Sequence, residues 1–90
     1  DYLLDRGIKI FGVDTMGIDS PYRFMLKECL AKKDFKALYP AHFYGRKREF
    51  IHIERLANLN KLPDYGFKII CFPIRIKQTG AAWARVVAML

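Results

Sequence analysis

The tightest constraint on this chain is a pair of apolar runs near its end, residues 67–76 (FKIICFPIRI) and 83–90 (WARVVAML). Both are short and rich in β-branched and aromatic residues, the signature of strands. Only residues 78–81 turn the chain between them. A connection that brief predicts an antiparallel pair, because a parallel return needs a dozen residues or more. Strand parity puts Ile70 and Phe72 on one face, and Ile70 is the expected centre of the core. Pro73 has no amide to give to a ladder, so it predicts a bulge or an edge. Lys68, Arg75 and Lys77 mark where water reaches.

The earlier part of the chain supplies two more strands. Residues 8–13 (IKIFGV) follow Gly7, a natural stop for the short apolar helix end that opens the chain. They empty into a turn-rich loop containing Asp14, Gly17 and Asp19. Ser20 and Pro21 then predict a helix start, a hydroxyl cap followed by proline in the first turn. Tyr22, Met25, Leu26, Cys29 and Leu30 repeat at helical spacing and form a core stripe. Residues 34–38 predict one further helical turn, ended by Pro40, which leaves His42 in a loop. Residues 50–56 (FIHIERL) predict a strand with Phe50, His52 and Glu54 on one face and Ile51, Ile53 and Arg55 on the other. Ile51 and Ile53 are expected to seek the core. The expected architecture is α+β, a mostly β sheet with one helix packed on it. Ninety residues make one domain at most, spanning 1–90.

Composition narrows the function. There is no apolar run near 18 residues, so no membrane partner is expected. The opening DYLLDRG has neither a basic stretch nor an apolar core, so no export signal is expected there. Cys29 and Cys71 show no metal-ligand spacing and are expected to be reduced and buried. The net charge of +7 and the run Arg46, Lys47, Arg48 raise the alternative of a basic binding module for nucleic acid. No nucleic-acid-binding signature accompanies the charge, and a solvated loop explains the run as well.

Glu54 is the residue that asks for an explanation. A carboxylate on a strand face shared with Phe50 and His52 is either solvated and paired with Arg55 or a lysine, or partly dry and matched to a cation. His42, twelve residues before it, can carry protons near neutrality. His52 offers a further ligand, and two histidines with one glutamate match the protein-ligand count of a catalytic zinc. The spacing fits no compact metal motif, and there is no phosphate-binding loop or serine-type triad.

The segments GIKIFGVDT, PAHFYGRKREFIHIERLANLNKLP, GFKIICFPIRI and WARVVAML together resemble the C-terminal part of the cyclase family of metal-dependent hydrolases, which includes kynurenine formamidase and isatin hydrolase. Its most specific element is His42, then Glu54 twelve residues on, then Leu56, Asn58, Leu59, Leu62 and Pro63. The resemblance implies a swivelling β/β/α fold, a divalent metal (zinc or manganese), and hydrolysis of an amide or cyclic C–N bond in a small-molecule substrate, as in tryptophan catabolism. It implies that Glu54 reaches the metal and that His42 assists proton transfer. It assigns no site role to His52, which is then read as structural, and leaves the role of Asp14 open. It further implies a cytoplasmic homo-oligomer. The family's principal metal motif, HxGTHxDxPxH, is absent from these residues. The chain is therefore expected to be the C-terminal portion of such an enzyme, partnered by an N-terminal half that carries the main ligands. An inactive structural fragment is the other alternative.

Overall fold

The computed structural model describes residues 1–90. Its elements run α1 (Tyr2–Asp5), β1 (Ile10–Gly12), α2 (Tyr22–Lys32), a 3₁₀ turn (Phe35–Ala37), α3 (Pro40–Tyr44), β2 (Ile51–Ile53), a second 3₁₀ turn (Leu59–Lys61), β3 (Lys68–Pro73) and β4 (Ala84–Met89). The class is α+β. The strands do not merge into one sheet, however. They form two separate two-stranded sheets, and three helices accompany them. The chain divides into two compact units, Asp1–Leu56 and Ala57–Leu90.

In the first unit β1 and β2 pair in parallel, with Ile10 opposite Ile51, Phe11 opposite His52 and Gly12 opposite Ile53. The connection between them carries α2 and α3, as a parallel return requires. The helix α2 starts one residue later than its sequence signal suggests. Pro21 is the cap residue and Ser20 makes no side-chain capping bond. Lys33 ends it in the left-handed region (φ 51°), and the amide of Asp34 closes back on the Cys29 carbonyl at 3.1 Å. The core stripe is present but narrow. Met25 and Cys29 are buried, whereas Tyr22 and Leu30 face water.

Pro40 begins a helix instead of ending one. It sits in the first turn of α3, where its missing amide costs nothing. His42 therefore lies on α3 and not in a loop. The strand β2 is shorter than the apolar pattern of residues 50–56, because Arg55 adopts φ 56° immediately after Glu54. Its amide and that of Leu56 still bond the first unit's opening loop, at Thr15 O (3.0 Å) and Val13 O (2.9 Å).

The burial expected for β2 is met only in part. Ile51 and its partner Ile10 are exposed and Ile53 is half-buried, while Phe50, His52 and Glu54 on the other face are half-buried too. The physical reason is aromatic packing. Phe11 stacks on Phe50 (centroids 5.6 Å) and on His52 (6.1 Å), and these rings cover the His–Glu face. Gly12 fits the opposite side, since a Cβ there would meet Leu56 Cδ1 at 2.5 Å.

The second unit is the antiparallel hairpin expected from its short turn, with Ile70 opposite Val87 and Phe72 opposite Arg85. Pro73 closes the ladder at its end opposite Ala84. Ile70 is only half-buried and Phe72 is exposed, so the core does not centre here. Cys71 is exposed as well, contrary to the expected buried thiol, because a lone pair of strands cannot cover both its faces. Both cysteines are free. No helix is long and apolar enough to cross a membrane.

Candidate metal centre

Four side chains from separate parts of the first unit meet on the covered face of β2. His52 comes from the strand itself, and Glu54 follows one residue beyond its end. His42 comes from α3, and Asp19 from the loop after β1. His42 and His52 meet edge to face, with ring centroids 5.0 Å apart. His52 Nε2 is 3.0 Å from Glu54 Oε1, and His42 Nε2 is 3.6 Å from the same oxygen. One ligand atom from each of His42, His52 and Glu54 lies within 4.8 Å of the other two.

Asp19 anchors this arrangement from behind. Its side chain is 5% exposed. Oδ1 accepts the Ala41 amide at 2.6 Å, and Oδ2 accepts the His42 amide at 3.1 Å and approaches His42 Nδ1 at 2.6 Å. Burial pushes the carboxyl pKa up, but the hydrogen bonds from the His42 ring and from the Ala41 and His42 amides, with the charge of His42, outweigh it and hold the pKa below the ordinary value. An ionised carboxylate only accepts hydrogen bonds, so Nδ1 of His42 donates to it and Nε2 is the ring nitrogen that faces Glu54.

Glu54 is the orphan of the group. Oε1 is out of contact with water and has no hydrogen-bond donor. Two imidazole nitrogens stand within 3.0 and 3.6 Å of it, yet neither has the geometry of a donated N–H. No lysine or arginine pairs with it, so the solvated ion pair considered from sequence is not formed. A dry, unpartnered carboxylate oxygen beside two imidazole nitrogens is costly as it stands. Two imidazole nitrogens and a carboxylate oxygen within 4.8 Å of one another are the donor types that a divalent cation takes. The residues present therefore fit the metal implied by the resemblance.

Sequence singled out His42 and Glu54, and the structure brings them together. It brings in His52 as well, which strand parity puts on the Glu54 face as a further ligand and to which the resemblance gives no site role. Asp19 left no such signal, since it reaches His42 across 23 residues of chain. Asp14, two residues past the end of β1, stays exposed. The chain's open depressions, one lined by Ile74, Arg75, Ile76 and Thr79 and one by Cys29, Leu30, Lys33 and Phe35, contain neither histidine nor carboxylate. The chain was compared with protein-family models, curated proteins and solved structures, and none matches it.

Proposed function

We propose that this chain carries part of the active site of a metal-dependent hydrolase that cleaves an amide or cyclic C–N bond. The supporting observation is the water-excluded, donor-less Oε1 of Glu54 facing two histidines. A bound divalent metal supplies Lewis-acid polarisation of a carbonyl and a nucleophile from water at neutral pH. Glu54 faces that metal. His42, fixed by Asp19, supplies the second functional group of the site. Phe11 and Phe50 pack against the His52 ring. Glu54 Oε1 itself is out of contact with water, which strengthens the charge interactions that this oxygen makes.

The nucleic-acid alternative finds less support. Arg48 of the basic run is committed within the chain, with Nη1 2.5 Å from Asp5 Oδ1. The test of the hydrolase reading is amide hydrolysis by the protein carrying this chain, with N-formylkynurenine as the first substrate. Glu54→Ala is expected to lower metal content and turnover together. Full turnover by the Glu54→Ala protein would refute the reading.

A further inference from the structure

We propose that His52 is a metal ligand, and that His42, His52 and Glu54 form a three-ligand site contained within this chain, with Asp19 as its outer partner. The inference rests on the reading of Glu54 as metal-facing. It goes beyond it by assigning ligation to His52, for which the family resemblance has no role, and by making His42 a ligand.

The distances support the assignment. Zinc binds imidazole nitrogen and carboxylate oxygen at about 2.0–2.1 Å in tetrahedral sites, so neighbouring ligand atoms stand roughly 3.4 Å apart. The His52–Glu54 and His42–Glu54 separations are 3.0 and 3.6 Å and bracket that edge. The third edge is no longer than 4.8 Å, and a small turn of the exposed His42 ring shortens it.

The chemistry agrees with the distances. Two neutral imidazoles and one carboxylate are a ligand set of the His-His-Glu kind, which leaves a fourth position open. Metal-bound histidines ordinarily give their other N–H to a carboxylate or carbonyl, which fixes the tautomer and makes the ring a better donor. The Asp19–His42 contact at 2.6 Å is that arrangement, and its Nε2 points inward. His52 is held in another way, by the stacked rings of Phe11 and Phe50. Both imidazole Nε2 atoms are turned onto Glu54.

An ordinary His52–Glu54 ion pair is the competing account. It would aim the ring N–H at the carboxylate. Oε1 instead has no donor despite a nitrogen 3.0 Å away.

The experiment titrates the metal-free chain with zinc by calorimetry and with cobalt(II) by visible absorption. Four variants accompany the wild type: His52→Phe, His42→Phe, Glu54→Gln and Asp19→Asn. His52→Phe keeps an aromatic ring against Phe11 and Phe50, and circular dichroism checks that each variant is folded. The expected result is one zinc per chain, at micromolar affinity or tighter. The cobalt form is expected to show the intense ligand-field bands of a four- or five-coordinate site. His52→Phe should weaken zinc by more than about 100-fold, the upper end of what loss of an outer partner costs, and Asp19→Asn by about 10–100-fold. Zinc should raise the melting temperature of the wild type and not of His52→Phe. A His52→Phe chain that binds zinc like the wild type, or a folded wild-type chain that binds none, overturns the proposal. In the second case the hydrolase reading survives with its ligands supplied elsewhere. Tight zinc binding without amide hydrolysis by the loaded protein sinks the hydrolase reading and leaves the site standing.

Discussion

Replacing Asp19 by asparagine should change both the stability of the first unit and the proton position on His42. In the wild type, two carboxylate oxygens receive the Ala41 amide (2.6 Å), the His42 amide (3.1 Å) and the His42 ring (2.6 Å). Asparagine has one acceptor oxygen and a two-proton donor. The oxygen can keep the Ala41 amide. The NH₂ group then faces the His42 amide, which loses its acceptor, and faces Nδ1, which must become an acceptor itself. Losing a capping bond costs about 1 kcal/mol. Losing a hydrogen bond to a charged group costs about 1.5–3 kcal/mol. The variant should therefore be less stable by about 2–4 kcal/mol in urea denaturation at neutral pH. The ring proton should move from Nδ1 to Nε2, visible in long-range proton–nitrogen spectra of the histidines. Acid adds a second reading. The folded-state pKa of Asp19 lies below its unfolded value, so its contribution is present above about pH 4, the unfolded value, and is lost as pH falls through the folded value. Asp19→Asn should lack that acid limb. A variant that keeps the Nδ1 proton and loses less than about 0.5 kcal/mol would refute the account of Asp19.

Further outcomes follow from packing and backbone. Met25→Ala should cost about 2–5 kcal/mol in chemical denaturation, and Ile70→Ala clearly less, because Met25 is buried at 4% exposure and Ile70 is not. Gly12→Ala should cost about 1–3 kcal/mol through its clash with Leu56, and the Leu56→Ala background should absorb part of that loss in a double-mutant cycle. Arg55→Gly should raise stability by about 0.5 kcal/mol, since a glycine holds φ 56° without the Cβ penalty. An unchanged or lower melting temperature for Arg55→Gly would show that the side chain contributes more than its backbone geometry costs.

Local patterns carried much of the fold. The helical spacing of Met25 and Cys29 and the brief turn before Trp83 each led to the right element and pairing. What failed was context. Pro40 reads equally as a stop or a start, and only the Asp19 side chain waiting at Ala41 and His42 decides for a start. The apolar Ile51 and Ile53 suggested the inner face of β2, but Ile51 is exposed and only Ile53 is half-buried, because the rings of Phe11 and Phe50 pack on the other face and parity does not reveal that contact. The site was legible to the extent that its members lie close in sequence. His42, His52 and Glu54 fall within one short stretch. Asp19 enters through tertiary structure alone.

The parallel pairing of β1 with β2 also sets a timetable for a chain emerging from a ribosome. Ile10 waits for Ile51, 41 positions later in the register. At 5–20 residues per second, that wait is about 2–8 s. Throughout it, Ile8, Ile10 and Phe11 present an unpaired strand edge, the kind of surface that recruits other chains. The hairpin of β3 and β4 waits less, because Pro73 meets Ala84 only 11 positions later, about 0.6–2 s at the same rate. A translational pause between the codons for β1 and β2 would therefore lengthen the chain's exposure to misassociation, and a pause after Pro73 would do the same for β3, which still lacks β4.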